Sequence, residues 1–143
     1  MKTKHTLLVL TGIALLSSNA FSAKWDAGAK PSRTITYKKV GGMELKLHVF
    51  DPPAKAKKPM AAIVFFFGGG WNGGTPSQFH PHCQYLFPQS LLAISAGKRA
   101  KKKGGGQPSE CVKKGKTAKR YLRQNAKEIG GQTKRIASGG GAG

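Results

Sequence analysis

The chain has 143 residues, enough for one modest domain, with 25 Lys+Arg against 5 Asp+Glu and a formal charge of +20. Its two cysteines, Cys83 and Cys111, are too few for a disulfide framework. Beyond the first residues, no stretch is apolar and long enough to cross a membrane.

Residues 1–22 read as a secretory signal peptide. Lys2 and Lys4 give a positive start, "TLLVLTGIALL" (6–16) is an apolar run short for a bilayer, and Ala20 and Ser22 take the small-x-small positions before a cleavage site. A membrane anchor, or a core helix of a cytosolic protein, is the competing reading; the charged start and small-residue end favour export. The expectation is a secreted or periplasmic protein, occupying residues 23–143, with no stable membrane insertion after cleavage. Without Lys2 and Lys4 the charge is still +18, and it is uneven: residues 23–86 carry +6 and residues 87–143 carry +12. Such a field attracts polyanions nonspecifically and opposes compactness.

Residues 24–33 are a polar lead-in. "TITYKKV" (34–40) and "MELKLHVF" (43–50) flank Gly41-Gly42, and the second alternates Met43, Leu45, Leu47, Val49 against Glu44, Lys46, His48. Period two across a Gly-Gly turn predicts an antiparallel hairpin. "DPPAKAKKP" (51–59) is a loop. "MAAIVFFF" (60–67) is apolar throughout, as in a strand covered on both faces. "SQFHPHCQYLF" (77–87) predicts a short helix with Pro81 in its first turn. "LLAIS" (91–95) predicts a second buried strand, and "GKRAKKKGGGQP" (97–108) a basic loop. Ser109 reads as an N-cap with Glu110 in the first turn. Val112, Ala118, Leu122, Ala126 and Ile129 recur at helical spacing before a stop at Gly130. "KRIAS" (134–138) predicts a last strand. Strands alternating with helices imply a mostly parallel sheet with helices on both faces.

Several motifs fail on context. Gly68-x-Gly70-x-x-Gly73 matches a dinucleotide fingerprint by letter, but Gly74, Thr75 and Pro76 follow where a helix should open. "GKT" (115–117) lacks the upstream glycine of a phosphate loop, since Glu110 stands there. His80, His82 and Cys83 offer metal-ligand types, yet the cluster reads more simply as a helix start. No metal and no cofactor is implied. The lysine-rich loop lacks the interleaved aromatics that would stack bases, which leaves a solvated loop as the simpler reading. The glycines of "FFFGGGWNGG" (65–74) suit acyl transfer better, because backbone N–H groups without side chains in the way can stabilise an oxyanion. A flexible spacer is the competing reading.

Strand-Gly-Gly-Gly-Trp resembles the oxyanion loop of esterases and lipases with the α/β-hydrolase fold, with Phe67 where many have His. The likeness runs from about Ile35 to the end: "GGGWNGGTPSQF" (68–79), "QPSECVKKGKTAKRYLRQNAKEIG" (107–130) and "KRIASGGGAG" (134–143) all look like an exported, acetyl-esterase-like or feruloyl-esterase-like branch. The resemblance implies strands in the order 1-2-4-3-5, the N-H groups of Gly69, Gly70 and Ala142 around the oxyanion, and a small ester or acylated polysaccharide as substrate. It implies a serine carboxylic-ester hydrolase.

The same resemblance exposes departures. The pattern G-x-S-x-G should hold the nucleophile, but residues 139–143 are Gly-Gly-Gly-Ala-Gly and the serine slot is Gly141. Ser138 has Ile136, not glycine, two residues before it. The acid and histidine of the family follow the nucleophile, whereas His5, His48, His80 and His82 all precede it. Family acidic positions hold Lys114 and Gln132-Thr133. These features lead to the expectation of an incomplete α/β-hydrolase domain, a truncated or decayed copy that is inactive as given. The alternative is a secreted basic protein, without catalysis, that binds an anionic polymer such as nucleic acid or polysaccharide. Cys83 and Cys111 should sit on helices against opposite faces of the sheet, too far apart to bridge.

Overall fold

The computed structural model describes residues 28–54, 57, 59–98 and 107–141. The signal-peptide reading of residues 1–22 and most of the basic loop lie outside them. A single five-stranded sheet organises the chain. β1 (Arg33–Val40) and β2 (Met43–Phe50) form the expected antiparallel hairpin, closing on Val40 opposite Met43. The turn glycines Gly41 and Gly42 both take positive φ, as the two-residue hairpin turn requires. A register shift between Thr36 and Lys38 places Tyr37 as the irregular residue of β1.

β3 (Met60–Phe66) runs into a 3-10 turn at Pro76–Phe79 and then α1 (His80–Leu86). β4 (Leu92–Ala96), α2 (Pro108–Gln124), α3 (Ala126–Ile129) and β5 (Gly131–Gly140) complete the order. The sheet order is β1-β2-β4-β3-β5, as the resemblance implied, with β3 parallel to both β4 and β5. β2 joins the parallel part through β4, antiparallel, with His48 opposite Ser95.

Period two explains the two-sided core. Leu47, Val49, Val64 and Ile94 are fully buried on one face, under Ala118 and Leu122 of α2 and Ile129 of α3. Each such side chain contributes about 1.5–3 kcal/mol of apolar burial. Phe50, Phe65 and Ala93 point the other way and pack with Cys83 of α1. β3 therefore buries apolar side chains on both faces, which is why its sequence does not alternate. The two cysteines occupy helices on opposite faces.

Three local expectations are corrected. Ser109 does not cap α2: Gln107 is the N-cap and Pro108, whose fixed φ suits the first turn, begins the helix. Val112 is exposed and Cys111 takes the buried position beside it. The last strand spans ten residues rather than five, because backbone pairing with β3 continues through its glycines. At the other end of the chain's core, Arg33 grips both carboxylate oxygens of Asp51 at 2.8 and 2.9 Å and the Ile129 carbonyl at 2.8 Å. One side chain thus ties β1, the end of β2 and α3 together.

Candidate functional site

β3, β4 and β5 point the same way, so the segments after all three converge at one end of the sheet, where open α/β sheets form ligand crevices. β3 leads into the glycine loop 68–74. β4 leads into Gly97 and Lys98. β5 leads into Gly141.

The glycine loop is fixed at both ends. The Gly68 N–H donates to Oε1 of Gln78 at 2.7 Å, and the buried Ser95 hydroxyl of β4 donates to the Pro76 carbonyl at 2.5 Å. Within the loop, the N–H groups of Asn72 and Gly73 both donate to the Gly69 carbonyl, at 3.1 and 3.3 Å. Gly69 adopts φ +131°, and a Cβ there would stand 2.8 Å from the Gly73 oxygen. At Gly74, φ +98°, a Cβ would collide with the Gly68 carbonyl oxygen and the Phe67 ring. The glycines at these two positions are steric requirements of a folded-back loop, which sets aside the reading as a loose spacer.

Gly69 and Gly70 are exposed, and among the described residues neither amide has a hydrogen-bond acceptor. Ala142, the third residue assigned to the oxyanion by resemblance, lies outside the described residues. Gly141 lies against the start of the loop. A Cβ built on it falls 3.1 Å from the Gly68 nitrogen and 3.3 Å from the Gly68 Cα. This proximity follows from the pairing of Phe66 with Gly140, extended by the Gly141 N–H donating to the Phe66 carbonyl at 3.1 Å. The ladder between β3 and β5 continues to this point because glycine at 140 lets the two backbones approach: a Cβ there would lie 2.7 Å from the Phe66 oxygen.

Trp71 has φ +62°, a conformation that bulky residues rarely take. Its ring is held by Lys98, whose Nζ lies 4.8 Å from the Trp71 ring centroid and 5.1 Å from that of Phe67. Burial draws the Lys98 pKa below the ordinary lysine value, with Cys111 acting in the opposite direction. Beside this stack is a cavity of about 340 Å³ walled by Phe66, Trp71, Lys98, Lys116, Lys119 and Gly139–Gly141 among others. Gly69 and Gly70 do not line it. Sequence reasoning placed Lys98 in a solvated basic loop and assigned nothing to Gln78 or Ser95. No spacing rule could have found these three, since their roles depend on which strand ends meet.

The histidines belong elsewhere. Nδ1 of His48 lies 3.0 Å from Nε2 of the buried His80, whose Nδ1 lies 3.0 Å from the Ala29 carbonyl. Both ring nitrogens of His80 are therefore engaged, and His82 packs its ring on Phe65 and Phe79 instead. Burial pushes the pKa of both His48 and His80 down. Burial also pushes the Cys83 thiol up to about 12, leaving it an inert core residue. Among the described residues no three His, Cys, Asp or Glu converge as a metal site.

No protein-family model matches the chain, and no curated protein sequence does. Solved structures match it well. A thermophilic esterase from the planctomycete Thermogutta terrifontis, in its butyrate-bound form, is 36% identical with a TM-score of 0.73, over 81% of this chain and 41% of the esterase. The native form of that esterase gives a TM-score of 0.74 at the same identity and coverage. Thermogutta terrifontis esterase 2 phosphorylated by paraoxon is 38% identical, with a TM-score of 0.71, over 76% of this chain and 42% of the other. The chain thus spans about two fifths of the length of the esterases it matches. The five-stranded sheet and its helices are a partial α/β-hydrolase fold, and the chain is related to esterases of that type.

Proposed function

We propose that these residues form the oxyanion-binding part of a serine carboxylic-ester hydrolase of an exported branch, and that they do not themselves turn over esters. The observation that carries this reading is the contact between Gly141 and Gly68. It brings the slot of the nucleophile beside a loop whose next two amides, Gly69 and Gly70, have no acceptor among the described residues. In an ester hydrolase a serine attacks the carbonyl, histidine moves the proton, and backbone amides hold the oxyanion. Here the loop supplies the amides, and Gly141 supplies no hydroxyl, so no acyl-enzyme forms there. The substrate class this favours is a small carboxylic ester, free or as an acyl group on a polysaccharide.

A neutral ester separates the amides from the chain's positive field. Titrating ethyl butyrate into the ¹⁵N-labelled protein should shift the amide signals of Gly69 and Gly70, while p-nitrophenyl acetate should be hydrolysed no faster than with a heat-treated sample. Unmoved Gly69 and Gly70 signals, or genuine turnover, would each defeat the proposal.

A further inference from the structure

Lys98, Lys116 and Lys119 all border the cavity of about 340 Å³ between α2 and the end of β5. None of the three has a carboxylate partner among the described residues, although Glu44 and Glu110 each bind two lysines elsewhere. Lys119 reaches the Ser138 hydroxyl, at 3.3 Å, and Lys98 the faces of Phe67 and Trp71, with Cys111 acting electrostatically on it. Lys116 and Lys119, three apart on α2, share one side of the helix. The rest of the wall is the Cys111 thiol, apolar side chains and bare backbone: Phe66, Trp71, Val112, Gly115 and the glycines of β5. Gly115 faces the Phe66 ring across this wall, and a Cβ there would make ordinary van der Waals contact with it at 3.7 Å.

A cavity with ammonium groups and a hydroxyl around an aromatic wall suits one kind of ligand: a small anion with a flat apolar body. We propose that this cavity binds a small aryl anion, its carboxylate or phosphate held by Lys98, Lys116 and Lys119 and its ring against Trp71 and Phe66. The volume is at the small end of the roughly 300–1,000 Å³ typical of ligand pockets. Lys98 and Lys119 are half-buried and Lys116 is exposed, and none faces a described carboxylate, so charge-assisted hydrogen bonds, about twice as strong as neutral ones, favour an anion here. Lys98 is the central group: an anion beside it would relieve the cost of its burial. Nothing in this binding needs a nucleophile at Gly141 or an ester, so it stands apart from the hydrolase reading.

Isothermal titration calorimetry on the full chain tests it with benzoate, phenyl phosphate, inorganic phosphate and the neutral benzamide. Saturable one-to-one binding of benzoate or phenyl phosphate is expected, at least about tenfold tighter than benzamide; the tighter of the two anions identifies the headgroup. Lys98→Gln and the double variant Lys116→Gln/Lys119→Gln should each weaken it at least about fivefold. Lys127→Gln, which removes an exposed charge from α3, should leave it unchanged. The proposal is overturned if Lys127→Gln weakens binding as much as the others, or if inorganic phosphate or benzamide binds as tightly as phenyl phosphate. Attraction only to long polymers such as heparin or DNA, with no saturable small-anion binding, overturns it equally. The double variant lies on a solvated helix side, so the test survives even if Lys98→Gln disturbs the Trp71 stack.

Discussion

Replacing Gly69 and Gly70 by alanine, one at a time, separates a shaped loop from a slack one. At Gly69 the backbone sits at φ +131°, a region almost confined to glycine, and holding alanine there costs of order 1–3 kcal/mol. The new Cβ would also press on a backbone oxygen 2.8 Å away, itself the carbonyl of a residue bonded back to Gly69, for about 1–3 kcal/mol more. Alanine stiffens the unfolded chain and returns about 0.4–1 kcal/mol. The net expectation is a loss of about 1–5.6 kcal/mol. Gly70 is different: φ +56° is the left-handed well, costing alanine about 1–2 kcal/mol, and no atom lies within 4 Å of the added methyl. Less the same entropic return, Gly70→Ala should lose about 1 kcal/mol or less. Urea unfolding followed by far-UV circular dichroism, with the slope m unchanged, measures the difference. The same two proteins can be titrated with ethyl butyrate; Gly70→Ala should keep the fold yet bind the ester less well, because its methyl stands beside the amide offered to the carbonyl. Equal stability losses for the two variants would refute the loop geometry. An unaltered ester response in Gly70→Ala would refute the assignment of its amide.

Two further outcomes follow, one from the structure and one from reading residues 1–22 as a signal peptide. His48 and His80 have pKa values lowered in the fold, so the unfolded chain takes up protons first as the pH falls through its ordinary histidine range near 6.5; stability should be full above that point and decline below it, by at most about 1.4 kcal/mol per pH unit for each group. His48→Gln/His80→Gln should flatten that slope in denaturation curves measured across the range, and an undiminished slope would assign it to other groups. If residues 1–22 are a signal peptide, expression in an exporting host should yield a mature N-terminus at Ala23, read by intact mass; retention of Met1 in the exported fraction would argue for an anchor.

The sheet was legible because its signals are local and repeated. Alternation over Met43–Phe50, unbroken apolarity over Met60–Phe66, and the helical recurrence of Ala118, Leu122, Ala126 and Ile129 each state which faces are covered. The order of parallel strands is not local, and it came from the resemblance. Ser109 misled because a capping side chain and a proline at the first helical position compete for the same start, and Pro108 took it. Val112 misled because Cys111, one residue earlier, is as apolar and faces the sheet. At the site, Gly69 and Gly70 were visible as glycines after a strand. Lys98, Gln78 and Ser95 were not, because they act across the ends of β3 and β4, and nothing in the spacing of 78, 95 and 98 encodes that meeting.

The basic excess has a different meaning on β5 from the one it has around the cavity. β5 pairs with β3 on one side, and among the described residues nothing pairs with its other side. Lys134 and Arg135 are exposed on this strand, and the residues around them are Gln132, Thr133, Ala137, Ser138 and two glycines, a composition with little appetite for β-stacking. Lys98, Lys116 and Lys119 are instead gathered at a cavity with an aromatic wall. The same net charge therefore divides physically into lysine and arginine exposed along a strand and lysines gathered at a concave surface, and only the second group should respond to a small aryl ligand.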